Sequence, residues 1–341
     1  MTIRVLVVGL GNMGRSHALA YATNPDFEVV GLVSRSPVDL PPELAGLTIS
    51  MDFAEALERL KPDLVCIATY SDSHADYAVA AMEAGAHVFV EKPLATTVAD
   101  ARRVVETARR TGRKVVVGYI LRHHPSWMRL IEEARAMGGP YVFRLNLNQQ
   151  SSGPTWEVHK RLMDTTSPIV DCGVHYVDVM CQITDAKPTE VRGMGLRLSE
   201  EVGPEMYNYG HFQVLFEDGS CGWYEAGWGP MMSDTAFFVK DVISPKGAVS
   251  IRMPEDARSD DIDTHTRTSQ IRLHRVGHPD QDLSMADEPG HQDLCDREQA
   301  FMARAILEDL DLSRHLQDAV RSLAVCLAAD ESVRTGQPVK L

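Results

Sequence analysis

An α/β fold with a doubly wound parallel sheet, followed by an α+β domain on a large, open and mainly antiparallel sheet, is predicted by three features. The first is Val5-Leu6-Val7-Val8-Gly9-Leu10-Gly11-Asn12-Met13-Gly14, an apolar run that passes through a G-x-G-x-x-G turn into a helix-like segment. The second is the alternation of short apolar runs with helical patterns through the first 120 residues, the pattern of βαβ units. The third is a change of texture after about residue 120, where short strands follow one another through tight turns.

Taken in order, strands are expected at 3–8, 27–33, 63–68, 86–90 and 114–118, with helices at 13–23, 52–60, 74–84 and 97–111. Runs such as Leu64-Val65-Cys66-Ile67-Ala68 lack polar alternation, as strands covered on both faces do. Three prolines between 36 and 50 reduce that crossover to a loop with a turn of helix. A helix at 125–137 ends at Gly138-Gly139-Pro140, before a strand at 141–148. Further strands are expected at 189–198, 208–217, 220–228, 235–243, 247–252 and 270–276, with Glu217-Asp218-Gly219-Ser220 as a hairpin turn. Helices return at 292–309 and 313–335 and stop at Gly336 and Pro338. A length of 341 residues favours two domains, 1–120 and 121–341; the final helices can pack on either.

Composition narrows the function. The chain is 44% hydrophobic and 24% charged, ordinary for a globular protein. A net charge of -14 argues against nucleic acid as a partner. No apolar stretch approaches the ~20 residues that span a bilayer, and no charged leader with a cleavage site opens the chain. A cytoplasmic protein without membrane partners is expected. The six cysteines form no C-x-x-C pair and no spacing with histidines or carboxylates that suits a metal; no metal is expected.

Chemistry concentrates in three places. Gly9 allows a tight turn out of the first strand, Gly11 lets a pyrophosphate approach the backbone, and Gly14 lets the helix pack close to the sheet, with helix amides facing the phosphates. Glu91-Lys92-Pro93 follows the strand ending near Val90, at the carboxyl edge where ligands sit in doubly wound sheets. By itself, a lysine there is as readily a solvated side chain. Asp171 and His175 are four apart, hence on one helix face, where a carboxylate orients an imidazole for proton exchange. Alone, the same pair reads more readily as a helix-capping acid and a core histidine than as a proton-exchanging pair.

In this order, Gly9-x-Gly11-x-x-Gly14, Glu91-Lys92-Pro93 and Asp171-x-x-x-His175 resemble the glucose-fructose oxidoreductase and inositol dehydrogenase (Gfo/Idh/MocA) family. Ala84-Gly85-Ala86-His87-Val88-Phe89-Val90 and the ending Ser332-Val333-Arg334-Thr335-Gly336-Gln337-Pro338-Val339 extend the resemblance through nearly the whole chain. It implies a Rossmann domain, a C-terminal open sheet that builds homodimers or homotetramers, and hydride transfer between a nicotinamide and a carbohydrate hydroxyl. Lys92, Asp171 and His175 match the family's catalytic trio. His175 takes the hydroxyl proton, Lys92 polarises the oxygen and Asp171 orients them, with Lys92 and His175 exchangeable in role. Gly9, Gly11, Asn12, Met13, Gly14, Ser34, Arg35, Thr69, His74, Glu91 and Lys92 are assigned to the cofactor.

At the end of the second strand an acid that would accept from the ribose is absent. Ser34 can donate to a 2'-phosphate and Arg35 can pair with it, so NADP is favoured over NAD. Thr69-Tyr70-Ser71-Asp72-Ser73-His74 carries Tyr70 where the family commonly has proline, and His74 reads as structural rather than catalytic. Tyr119, Arg122, His123, Trp156, His159 and Lys160 supply polar and aromatic surface for a polyol. Trp223, Tyr224 and Trp228 suit an oligomer contact at least as well as a pocket. The expected function is an NAD(P)-dependent dehydrogenase or reductase acting on a monosaccharide, inositol or related carbohydrate. The alternatives are an oxidoreductase that keeps its cofactor bound while cycling a sugar through a keto intermediate, and a non-catalytic sensor.

Overall fold

The computed structural model describes residues 2–341 apart from 236–237, 256, 261–267 and 286–287. The chain divides into two compact units, Met1–Ile120 with Gln292–Val320, and Leu121–His291 with Arg321–Leu341.

The first unit is built on six strands: β1 (Ile3–Val8), β2 (Phe27–Val33), β3 (Ile49–Ser50), β4 (Leu64–Ile67), β5 (His87–Val90) and β6 (Val115–Val117). Every pair is parallel and the order is β3-β2-β1-β4-β5-β6. The order reverses beside β1, which opens a crevice at the carboxyl ends of β1 and β4. All four residues of β4 are 0% exposed, as the unbroken apolar run requires of a strand covered on both faces. Helices α1 (Asn12–Thr23), α2 (Phe53–Leu60), α3 (His74–Glu83) and α4 (Val98–Thr111) connect the strands. Asp52 caps α2 through Glu55 N–H at 2.9 Å, and Thr97 caps α4 through Asp100 N–H at 3.0 Å, each satisfying a terminal amide. The proline-rich crossover keeps one 3-10 turn, Pro42–Leu44.

Helix α8 (His291–Leu307), the eighth in chain order, returns to this sheet. Met302, Ala303 and Ala305 join Ile3, Val5, Tyr21 and Phe89 in one buried cluster. The sequence reading placed 121–341 in one domain and left the packing of its last helices open.

The second unit carries β7 (Val142–Gln150), β8 (Pro188–Leu196), β9 (Tyr209–Phe216), β10 (Cys221–Gly229), β11 (Lys240–Ser244), β12 (Gly247–Arg252), β13 (Gln270–Arg275), β14 (Gln281–Ser284) and β15 (Val339–Lys340). They form one sheet in the order β14-β13-β12-β11-β7-β10-β9-β8-β15. The sheet is antiparallel apart from β7 and β10, which run parallel. Some 70 residues of helix and strand separate those two strands, ample for the crossover that a parallel pair needs. In the β9–β10 hairpin, Asp218 accepts from Ser220 N–H at 2.9 Å and Gly219 takes φ +84°. The strand expected at 235–243 starts at Lys240; residues 236–237 of that expectation lie outside the described residues. Helix α6 (Gly153–Leu162) and strands β14 and β15 were not anticipated. Helix α5 (Pro125–Met137) and α7 (Pro168–Ile183) complete the unit, with α9 (Ser313–Thr335) spanning the division between the two. Met194, Leu196 and Leu215 are exposed on β8 and β9. No helix among the described residues is long and apolar enough to cross a membrane.

Candidate active site

The glycine turn has the geometry that a dinucleotide needs. A Cβ on Gly9, at φ +89°, would stand 2.4 Å from the Ala68 carbonyl oxygen, and one on Gly14 would stand 1.8 Å from that of Gly9. Both positions therefore exclude any side chain. Gly11 differs: its Cβ would meet nothing within 4 Å, so the space beside it is open. Gly11 is also the N-cap of α1 and supplies no side-chain cap. The first-turn amides thus lack a side-chain acceptor of their own, as a pyrophosphate cradle requires. Asn12 is exposed and Met13 half-buried at the lip.

At the end of β2, Ser34 Oγ donates to the Ser36 carbonyl at 2.7 Å. That bond closes the turn that begins at Ser34. Arg35 beside it is exposed.

Two segments follow β4 and β5 at the carboxyl edge of the sheet. Thr69 Oγ1 lies 2.7 Å from Ser73 Oγ, which donates to the Tyr70 carbonyl. His74 is buried, with Nδ1 2.7 Å from the Pro93 carbonyl and Nε2 3.0 Å from the Thr69 carbonyl. It ties the loop after β4 to the segment after β5. Burial lowers its pKa, against the pull of those two carbonyls. Lys92 is half-buried and precedes Pro93 through a cis peptide.

Behind Lys92 sits a pair that the sequence reading did not find. Glu91 Oε1 is 2.7 Å from His17 Nε2, and Glu91 Oε2 accepts from the Lys92 backbone N–H at 3.2 Å. His17 is 0% exposed. Its Nδ1 is 2.9 Å from Nε2 of Gln299 on α8. The available signal was a lone imidazole three residues beyond Gly14, on the inward face of α1. Neighbouring Glu298 is 1% exposed, and neither carboxyl oxygen has a hydrogen-bond partner among the described residues. Burial, and second the Glu91 charge, push its carboxyl well above the usual range, so it stays protonated and neutral.

In the second unit, α7 carries Asp171 and His175. Ser167 caps it by accepting from Val170 N–H at 3.1 Å, and Pro168 opens the first turn. Asp171 is 8% exposed in that turn, where the helix dipole favours an acid. His175 is one turn on; it and Gln182 are the only residues of α7 that are not buried. A Cβ on Gly173 would come within 3.1 Å of Tyr224 and 3.2 Å of Cys326 Sγ, so glycine lets α7 lie close to β10. Ser167 Oγ also donates to Asp330 at 2.7 Å, and Tyr207 OH donates to the same oxygen.

The expected substrate residues separate into groups. Tyr119, in the first unit, is 1% exposed and edge-on to His315, with centroids 6.1 Å apart. Arg122 donates to both oxygens of buried Asp178, and His123 is half-buried. Trp156, His159 and Lys160 share α6. Trp156 and Lys160 donate to Glu201 at 3.2 and 2.7 Å, and His159 stacks on Trp228 with centroids 4.3 Å apart. Tyr224 and Trp228 are 0% and 1% exposed and belong to the interior, so of the three aromatic residues only Trp223 remains for a contact across the sheet.

The strand order and glycine cradle define a dinucleotide-binding Rossmann protein. Residues 3–119 match the oxidoreductase family with an NAD-binding Rossmann fold, and residues 128–239 match the GFO/IDH/MocA C-terminal domain. The chain belongs to this family. It is 30% identical over 221 residues to an inositol 2-dehydrogenase of Acidothermus cellulolyticus, covering 61% of each chain. It is 29% identical over 235 residues to a D-glucoside 3-dehydrogenase of Escherichia coli, covering 67% of this chain and 62% of the relative. The match thus spans about three-fifths of these relatives. Among solved structures, an aldose-aldose oxidoreductase of Caulobacter crescentus superposes over 100% of both chains with TM-score 0.79 at 22% identity. An oxidoreductase domain protein of Kribbella flavida covers 100% of this chain and 99% of its own, with TM-score 0.81 at 21% identity.

Proposed function

We propose that this protein is an NAD(P)-dependent oxidoreductase that moves a hydride between the nicotinamide and a secondary alcohol or ketone of a monosaccharide, inositol or related carbohydrate. The observation that carries this reading is His175, left accessible one turn beyond buried Asp171, in a chain whose other unit holds a glycine cradle. Relatives named for inositol and glucoside oxidation support the substrate class.

A nicotinamide bound by the glycine cradle would supply the hydride chemistry, at its C4. In the oxidative direction His175 takes the hydroxyl proton as the C–H bond gives up its hydride, and Lys92 holds and polarises the same oxygen. Asp171 keeps the imidazole oriented and stabilises its cationic form. Arg35 favours NADP by pairing with a 2'-phosphate, with no acid in the turn that begins at Ser34 to repel it. Exposed Met194, Leu196 and Leu215 support assembly into a homodimer or homotetramer through the nine-stranded sheet; light scattering in solution tests this. A cytoplasmic location remains part of the reading.

The test incubates purified protein with NAD or NADP and a panel of monosaccharides, inositols and sugar acids, following absorbance of the reduced nicotinamide. Catalytic reduction with one panel member is expected. Cofactor binding without turnover in either direction overturns the released-cofactor dehydrogenase.

A further inference from the structure

We propose that His17 is a positioning residue for Lys92 and acts through Glu91: the imidazole holds the Glu91 carboxylate inside the core, and that carboxylate fixes the Lys92 peptide. The inference rests on the reading of Lys92 as a residue of the hydride-transfer site.

The geometry is a relay of contacts within the first unit. An ionised carboxylate only accepts, so at 2.7 Å Glu91 Oε1 receives its hydrogen bond from His17 Nε2, while His17 Nδ1 faces the Gln299 side-chain amide at 2.9 Å. The other carboxylate oxygen receives the Lys92 N–H at 3.2 Å. A Cβ on Gly118 would stand 3.2 Å from all three carboxylate atoms of Glu91, so the absence of a side chain there makes room for the acid. Phe89 packs edge-on against the His17 ring, with centroids 4.7 Å apart. The ring, carried by α1, is therefore held by Phe89 on β5, Glu91 just beyond it and Gln299 on α8, and has little freedom to turn.

Ligand atoms of His17, Cys295 and Glu298 lie within 4.8 Å of one another, which raises the question of a metal. Both nitrogens of His17 already face partners, and burial keeps the Cys295 thiol and the Glu298 carboxyl protonated. The cluster therefore serves as neutral backing for the pair. Tyr21 and Cys66 also face it, and both are held protonated by burial. Neither they nor Glu298 competes with His17 for the Glu91 charge, while His74 borders the Lys92 side.

Without the Nε2 proton, a buried carboxylate oxygen loses its donor, a costly state that is relieved by rotation or proton uptake. Either response weakens the acceptor that fixes the Lys92 backbone. Misplacing a catalytic group by about 1 Å costs about 100-fold in rate.

The test compares wild type with His17→Leu, His17→Gln, Glu91→Gln and the His17→Leu/Glu91→Gln double variant. Lysines are 13C-methylated and the Lys92 NMR signal is assigned by its loss in Lys92→Arg. Cofactor affinity is read from reduced-nicotinamide fluorescence and turnover from a kcat–pH profile. His17→Leu is expected to shift the Lys92 titration midpoint and to lower kcat about 10- to 100-fold, with cofactor Kd within about 3-fold of wild type. His17→Gln, which keeps an N–H donor, should restore most of both. The double variant should be no worse than the weaker single one. A Lys92 titration unchanged in His17→Leu and Glu91→Gln, or additive losses, overturns the proposal. If His17→Leu does not fold, the contrast between His17→Gln and Glu91→Gln decides on the same signal. The NMR arm needs no substrate, so a chain that turns over no carbohydrate fails the functional reading while still showing whether His17 controls Lys92.

Discussion

Arg122 grips Asp178 through two nitrogens, Nε at 2.9 Å and Nη2 at 2.6 Å, and the Asp178 side chain is 0% exposed. Gln182 adds a third donor at 3.0 Å. An arginine expected to meet substrate thus also neutralises a buried carboxylate of α7. Removing one partner of such a pair leaves an uncompensated charge. Arg122→Ala should therefore cost about 3 kcal/mol or more in urea unfolding, whereas a substrate contact would show chiefly in KM.

Gly11 and Gly14 should separate binding from folding. Gly14→Ala forces a methyl onto the Gly9 carbonyl, with the Cβ at 1.8 Å, and should destabilise the protein by about 2 kcal/mol or more. Gly11→Ala meets no atom within 4 Å and should unfold at the wild-type temperature while losing cofactor affinity. Equal melting temperatures for the two variants, measured without cofactor, would contradict this account.

Lys240 in β11 gives a pH signature. It is 2% exposed, and burial pulls its ammonium down to about 7, against the attraction of Glu288. Between that value and 10.5, the unfolded chain binds more protons than the folded one, so stability rises with pH through the window and is lost as pH falls towards 7. Lys240→Met removes this dependence. It should be more stable than wild type at pH 7, and the gap should close towards alkaline pH by up to about 1.4 kcal/mol per unit. Urea unfolding across the window checks this; a gap independent of pH refutes it.

The proposed chemistry predicts that Lys92→Ala and His175→Ala each cut turnover by about 100-fold or more. Cofactor affinity should stay nearly intact in His175→Ala. Steady-state kinetics beside fluorescence titration measures both, and unchanged turnover in the two variants would remove these residues from the mechanism.

The six-stranded sheet and the cradle were legible because their causes are local. Unbroken apolar runs mark strands buried on both faces, and Gly9 and Gly14 stand where a Cβ would strike backbone. Helical spacing puts Asp171 and His175 on one face, but only their order after the glycine turn and Glu91-Lys92-Pro93 marks them as candidates. Strands β14 and β15 carry too few apolar residues to show a period, and α6 opens with Gly153-Pro154, which reads as a loop.

By itself, then, the sequence determined the fold class, the glycine cradle and the candidate acid–base residues, since each follows from short motifs and their order along the chain. Tertiary structure alone decided where polar side chains spend their hydrogen bonds. Arg122 meets an acid 56 positions away, and His17 meets Glu91 at a separation of 74 and Gln299 at 282. The return of α8 to the first unit is of the same kind, because burying Met302 and Ala303 against β1 and β5 depends on a surface assembled from distant segments. Such pairings leave no periodicity in the chain; they arise when a buried polar group must find a partner once water has been excluded.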